Sequence, residues 1–351
     1  MLYDATHTLP IEPPAALNPP PVHPDRSARL VGLISNPNSR RNRAGLREVE
    51  RIVANRPAIH HRITGAPGDI AGILDEFARL GVDTLAVNGG DGTTAHVFTE
   101  LLSGGAFAQL PDMLLLPGGT TNMNAADVGL RGSLPDSVRR LAAWADGDDS
   151  GSERIARPVL RVDGACGERA LYGMFFGAGT IVDAIEYCHA NIHSLGIRDE
   201  LAPGLAVVRA LWGILRNDTR FAQPTAMEID LDDRRADNTR PVVQLLVTSL
   251  QRLFLGLTPW WDTAARELHC TWMEHPSRRL LRAFPALLRG KPNRHVNADN
   301  GYFSHNADRI CLTFDGTFTL DGEMHRAERG RGPLTLSNGG TLGFVRIGRR
   351  R

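Results

Sequence analysis

The sequence predicts an α/β protein, with an N-terminal doubly wound parallel-sheet domain and a C-terminal antiparallel β-rich sandwich domain. Three observations carry this. Up to about residue 145, short apolar runs alternate with segments of helical period, the pattern of a parallel sheet wrapped by helices. Successive apolar runs end in turns built from Asn, Ser, Thr, Gly and Asp. Beyond the polar stretch 146–151 the helical period gives way to many short alternating runs separated by Gly and Asp.

Residues 1–27 are crowded with proline (Pro10, Pro13, Pro14, Pro19, Pro20, Pro21 and Pro24) and read as a disordered leader outside the fold. Ordered structure is expected from residue 28, and the first domain from there to 150. Its first strand, 29–35, ends in Asn36-Pro37-Asn38-Ser39-Arg40, and a helix follows at about 45–55. A second strand, 59–63, runs into Thr64-Gly65, and the helix 70–80 carries Ile73, Leu74 and Phe77 at helical spacing. Val82, Leu85, Ala86 and Val87 read as a buried strand entering Asn88-Gly89-Gly90-Asp91-Gly92-Thr93-Thr94. The next helix carries Val97, Phe98, Leu101 and Leu102 on one face. The strand 113–116 runs into Pro117-Gly118-Gly119-Thr120-Thr121-Asn122, and a last helix falls at about 135–144. All four turns open on one edge of the predicted sheet, where open α/β folds bind ligands.

The second domain, 151–333, is expected to hold strands at 159–162, 170–176, 226–231, 242–247, 268–273, 310–314 and 317–320, with a helix at about 204–215. The segment 334–351 supplies strand-like runs at 334–336 and 342–347, free to pair with either domain, and a basic tail Arg349-Arg350-Arg351.

Strand, glycine turn and helix start is the geometry in which backbone N–H groups hold a phosphate. Asp91 is the odd element, because a carboxylate repels that ligand unless a cation lies between them or a base is needed. The sole lysine is Lys291, and no Gly-Lys-Ser/Thr triplet exists, which excludes a Walker-type P-loop. No Gly-x-Gly-x-x-Gly follows the first strand, which weighs against a dinucleotide site. Phosphate charge must then be met by backbone N–H, by arginine or by a divalent cation.

A formal net charge of +1 gives no argument for nucleic acid. Cys166, Cys188, Cys270 and Cys311 are scattered without CxxC spacing, which fits free thiols in a reducing compartment. The longest apolar stretch, 242–261, is broken by Gln244, Gln251 and Arg252, so a soluble, cytoplasmic chain is expected. The histidines show no i, i+4 pair with a nearby third ligand, which argues against zinc.

With Asn36-Pro37-x-Ser39, Thr64-Gly65, Gly89-Gly90-Asp91-Gly92-Thr93, Pro117-x-Gly119-Thr120-x-Asn122 and Asp321-Gly322-Glu323 in that order, the chain resembles the bacterial soluble diacylglycerol kinase and sphingosine kinase family of lipid kinases, which shares its nucleotide fold with NAD kinases. The resemblance runs from about residue 30 to the C-terminus. It implies transfer of the γ-phosphoryl group of ATP, with Mg²⁺, to a lipid hydroxyl at a membrane surface, with peripheral contact at the inner face. It further implies that the nucleotide touches Asn36, Pro37, Asn38, Ser39, Arg40, Thr64, the turn Gly89, Gly90, Asp91, Gly92, Thr93 and Thr94, and then Gly119, Thr120 and Asn122. Glu323 is the implied proton acceptor, and Asp91 the implied contact to the Mg²⁺-phosphate assembly.

The chain departs from its relatives at three places. Ala95-His96 stand where they usually have Asn-Glu, and Met123-Asn124 where they have Asp-Phe. The Asp-Asp-Gly of an ancillary Mg²⁺ site is absent, with Asp262 the nearest carboxylate. An NAD kinase-like enzyme and a nucleotide-binding regulator without kinase activity are the alternative readings. Trp260-Trp261 and the 284–289 segment join aromatic, apolar and basic character, which suits core packing or a membrane interface.

Overall fold

The computed structural model describes residues 29–167, 169–182, 224–236 and 240–348. The proline-rich leader, the helix expected at 204–215, Cys188 and the terminal arginines lie outside the described residues.

Four strands form the parallel part of the first sheet: β1 (Val31–Ser35), β2 (Ile59–Ile63), β3 (Thr84–Gly89) and β4 (Asp112–Pro117). They lie in the order β2-β1-β3-β4. Helices α1 (Asn42–Val53) and α5 (Leu134–Ala145) cover one face, packing Val49, Val53, Val138, Leu141 and Trp144 on Val31, Leu33, Ala86 and Leu114. Helices α2 (Asp69–Leu80) and α3 (Asp91–Gly104) cover the other, with Ile70, Leu74, Phe77, Val97, Phe98 and Leu101 against Ile34, Leu85, Val87 and Leu115. The central strands β1, β3 and β4 are thus apolar on both faces, as a doubly wound sheet requires. A short helix, α4 (Met123–Val128), follows the second glycine turn.

Local chemistry sets the helix ends. Ser133 caps α5 by accepting from the Asp136 N–H at 3.3 Å, with Pro135 in the first turn. Gly81 ends α2 at φ 76°, the left-handed conformation that glycine adopts without strain.

The second half is antiparallel and supplies the β-rich domain. It comprises β5 (Ser152–Asp163), β6 (Leu171–Gly173), β7 (Phe175–Gly179), β8 (Glu228–Leu231), β9 (Arg234–Arg235), β10 (Val242–Thr248), β11 (Leu268–Glu274), α6 (Leu280–Leu288), β12 (Tyr302–Ala307), β13 (Arg309–Thr313), β14 (Gly316–Leu320), β15 (Glu323–Ala327) and β16 (Leu334–Ile347). Six of these make a second sheet in the order β12-β11-β10-β7-β14-β15. Its inner face, with Phe176, Val247, Cys270, Trp272 and Phe318, packs on Leu160, Val162, Ile229, Ile310, Leu312 and Leu336 of β5, β8, β13 and β16.

The two strand-like runs expected after residue 334 are one strand, and it joins the halves. Along β16, Thr335 to Ile347 pair antiparallel with β5, Arg309 to Leu312 of β13 pair with Leu334 to Ser337, and Phe344 pairs parallel with Met113 of β4. The parallel sheet therefore runs on into the antiparallel half. The run expected at 170–176 is split instead into β6 and β7, which belong to different sheets. Strands β9, β12 and β15 and helix α6 were not expected. Among the described residues, no helix is long and apolar enough to cross a membrane.

Helix α2 packs tightly on β1 at Gly32, where a methyl group would lie 2.4 Å from the Phe77 ring, itself fully buried. Gly32→Ala is expected to destabilise the protein by about 1–3 kcal/mol through overpacking. A thermal melt that leaves Tm unchanged would show that α2 can shift away from β1.

Candidate active site

Because β1 to β4 are parallel and adjacent, their carboxyl ends deliver four turns to one edge, and backbone bonds stitch the turns together. The Asn36 N–H donates to the Asn88 carbonyl at 3.0 Å, the Thr64 N–H to the Ser35 carbonyl at 3.0 Å, and the Arg41 N–H to the Gly118 carbonyl at 3.0 Å. Buried Asn42 donates from one amide to the carbonyls of Asn36 (2.7 Å) and Asn88 (3.0 Å). Ser35 Oγ accepts from Asn88 Nδ2 at 3.0 Å and meets His61 Nε2 at 2.8 Å.

The glycines of the two central turns are required by close approach. A methyl on Gly119 would lie 2.5 Å from Gly90 Cα, and one on Gly118 would lie 2.8 Å from Gly89 N. Gly90 is extended and leaves the start of α3 without a side-chain cap. The first N–H groups of that helix, with its positive dipole end, form a place for an anion.

Asp91 does not face that opening. It is buried, and its carboxylate turns toward the next turn. Oδ2 accepts from Thr121 Oγ1 (2.8 Å) and the Met123 N–H (3.0 Å), while Oδ1 accepts from the Asn124 N–H (2.9 Å). It thereby caps α4. The Asn124 side chain reaches a second buried carboxylate, donating from Nδ2 to Asp321 Oδ2 at 3.0 Å. Asp321 also accepts from the Met174 N–H (3.0 Å) and the Phe175 N–H (3.0 Å). Burial pushes both carboxyls up. Asp321 reaches about 8, driven first by desolvation and then by the Asp91 charge, against the pull of its three donors.

Two residues beyond Asp321, the exposed Glu323 at the head of β15 stands over the first glycine turn: a methyl on Gly92 would lie 2.3 Å from Glu323 Oε1. His325 stacks on Phe318 at 5.4 Å. Burial holds His325 below the usual imidazole value, Glu323 pulls it up, and His96 pushes it down, so these three groups share one corner.

Residues 31–147 match the diacylglycerol kinase catalytic domain. A probable lipid kinase YegS-like protein of Enterobacter sp. (strain 638) is 36% identical over 107 residues, covering 30% of this chain and 36% of the relative. A probable lipid kinase YegS of Escherichia coli O9:H4 (strain HS) is 39% identical over 88 residues, covering 25% and 29%. The chain thus spans about a third of the length of these curated relatives. A solved structure of a diacylglycerol kinase from Bacillus anthracis str. Sterne covers 92% of this chain and 98% of its own at 17% identity and a TM-score of 0.58. A putative diacylglycerol kinase from the same organism covers 92% and 97% at 20% identity and a TM-score of 0.60. At such identities the likeness speaks for the fold, which both halves share.

The expected site residues divide by what their side chains do. Asn38, Ser39, Arg40, Thr64, Gly89, Gly90, Gly92, Thr93, Thr94, Gly119 and Thr120 lie on the stitched turns. Thr94 Oγ1 donates back to the Gly90 carbonyl (3.2 Å). The side chains of Asn36 and Asn122 bond within and between the turns. Asn36 Nδ2 donates to Thr93 Oγ1 (2.8 Å) and its Oδ1 accepts from the Asn38 N–H (2.9 Å). Asn122, at φ 48°, closes its own turn by accepting from the Gly119 N–H (2.7 Å) and donating to the Gly119 carbonyl (3.0 Å).

Asp91, expected at the metal, likewise has its oxygens in hydrogen bonds to three protein donors. Among the described residues, no group of three or more His, Cys, Asp or Glu side chains is placed to hold a metal ion. Asp262 is pinned, accepting from the Asn306 N–H (2.6 Å) and the Ala264 N–H (3.1 Å). Sequence reasoning passed over Asn124 and Asp321. Asp321 is in the motif that supplied Glu323, and a second carboxylate two residues away was the available signal. An open groove lined by Asp75, Arg79, Asp83, Phe107 and Gln109 lies at the amino ends of β3 and β4, away from the turns.

A raised carboxyl pKa adds stability that is complete below its unfolded value, near 4, and is lost as pH rises through about 8. The stability of the native chain relative to Asp321→Asn should therefore shrink from pH 4 to pH 8, with the histidines common to both cancelling. Denaturant melts across that window check it, and a constant difference would mean that Asp321 is ionised in the fold.

Proposed function

We propose that the protein is an ATP-dependent lipid kinase that transfers the γ-phosphoryl group to the hydroxyl of diacylglycerol or a related lipid alcohol. The observation that carries this is the position of Glu323 over Gly92, which brings an exposed carboxylate of the antiparallel half onto the phosphate-type turn of the parallel half. A nucleotide lying across the two glycine turns would place its phosphates at the start of α3. Arg40, beside Arg43 at the head of α1, supplies nearby positive charge; burial and that neighbour together lower its pKa, which an anion would relieve.

In the transfer, the lipid hydroxyl oxygen forms a bond to the γ-phosphorus, the bond from phosphorus to the bridging oxygen breaks, and ADP leaves. The hydroxyl proton passes to Glu323. The protein's own part is to align phosphate and hydroxyl and to accept that proton. The divalent ion usual in this family has no protein cage among the described residues, which suits an ion that arrives on the nucleotide. Free Cys166, Cys270 and Cys311 suit a reducing compartment, and we place the reaction in the cytoplasm against the inner membrane face.

Glu323→Gln should lower turnover by at least about a hundredfold while leaving ATP affinity near that of the native chain. Turnover on detergent-dispersed lipid and ATP binding by calorimetry measure the two. Gly92→Ala should displace Glu323 and also cost on the order of a hundredfold in rate. ATP binding with no transfer to any lipid by the native chain would favour a nucleotide-binding regulator instead, and transfer to NAD would favour the NAD kinase-like reading.

A further inference from the structure

Helix α6 and the segments beside it carry charge of one sign. Residues 275–298 contain Arg278, Arg279, Arg282, Arg289, Lys291 and Arg294, and no Asp or Glu. All six side chains are exposed, and none makes a salt bridge among the described residues. Three of them converge on His295: desolvation first, and then the nearby charges of Arg294, Arg279 and Arg282, hold its pKa below the usual imidazole value.

The inner face of α6 is accounted for by Leu280 and Ala283, packed with Val243, Met273, Val296 and Tyr302. The outer face is not. Leu281 is 71% exposed, in the middle of the basic cluster. Leu255, 73% exposed and held at φ 59°, projects from the adjoining loop. That loop is fastened to α6 at one end, where the Thr258 N–H donates to the Leu288 carbonyl (3.2 Å). Near its other end the Gln251 N–H donates to Asp127 Oδ2 (3.1 Å) in α4, the helix that Asp91 caps. An exposed leucine set among arginines without salt bridges, with a second exposed leucine on the adjoining loop, matches a bilayer interface, where apolar side chains enter the acyl boundary and cations meet lipid phosphates.

We propose that the outer face of α6, with Leu281, Leu255 and the surrounding arginines, docks on an anionic phospholipid bilayer. This rests on the lipid-kinase reading for its purpose, since an acceptor lipid is presented at such a surface, but its test does not need catalysis. The docking surface is joined by the 251–258 loop to the helix behind the glycine turns, so a docked molecule keeps its site close to the surface.

The test is sedimentation of the full chain with vesicles of phosphatidylcholine containing phosphatidylglycerol, against phosphatidylcholine alone, at low and high salt. Binding is expected to the anionic vesicles only, and to weaken with salt. Each basic residue near such a surface is worth roughly fivefold in partition, so Arg279→Glu with Arg282→Glu should lower binding by at least about tenfold. Leu281→Asp should lower it as well. Activity on detergent-dispersed lipid should be unchanged in both variants, which also shows that they fold. Absence of binding to anionic vesicles, or binding indifferent to both variants, overturns the proposal. So does a concentration-dependent dimer of the native chain that Leu281→Asp abolishes, because a second copy would then cover the face. A chain that binds vesicles as described but phosphorylates no lipid overturns the kinase reading alone.

Discussion

The site depends on one buried contact, Asn124 between two carboxylates. Its backbone N–H holds Asp91 and its side chain holds Asp321. Asp91 is the first residue of α3 and Asp321 belongs to the turn before β15, so one asparagine ties the phosphate-type turn to the antiparallel half. Two carboxylates this close and this dry cannot both be ionised cheaply. The donors around them, Thr121, Met123, Met174 and Phe175, offset part of that cost. What the arrangement secures is the position of Glu323, two residues along from Asp321 and fixed by the β14–β15 hairpin register of Leu320 opposite Glu323.

A second constraint acts at longer range. If the two halves were joined only by the polar linker at 146–151, the distance between Glu323 and Gly92 would vary with every hinge motion. Strand β16 prevents this, because it pairs with β4 of the parallel sheet and with β5 and β13 of the antiparallel one. A ladder bonded to both sides makes the halves one mechanical unit, so Asp321 and Asp91 meet in a fixed relation. Asp127, buried in α4 and paired with Arg157 of β5 and Arg252 beyond β10, adds a polar clamp on the same seam.

The parallel half was legible because its signals are local. Val31 to Ser35 and Thr84 to Gly89 are largely apolar runs closed by turn residues, Ile59 to Ile63 is bracketed by isoleucines and followed by Thr64-Gly65, and helix α2 repeats Ile70, Leu74 and Phe77 on one face. Strand β15 was not legible. Glu-Met-His-Arg-Ala has one buried residue, Ala327, and forms a strand because β14 lies beside it. Helix α6 was hidden by Pro285 and by a buried face of few residues. The order of the motifs brought Glu323 and the glycine turns together on paper, but the orientation of Asp91 was not recoverable. Its donors Met123 and Asn124 lie 32 and 33 positions away, and nothing in a turn sequence says which way its carboxylate points.

Two of the three departures from the resembled family's pattern fall where this geometry gives them work. Asn124 stands in the second of them and is the bridge itself. His96 stands in the first and lies beside His325, next to Glu323. A protonated His325 would pair with the Glu323 carboxylate and occupy the acceptor that the proposed transfer needs. Burial against Phe318 disfavours that protonation, and a second imidazole at position 96 disfavours it further. On the proposed reading, this corner leaves the Glu323 carboxylate free to accept a proton opposite Gly92. The glutamate usual at position 96 would do the opposite, adding a negative charge that draws a proton onto His325.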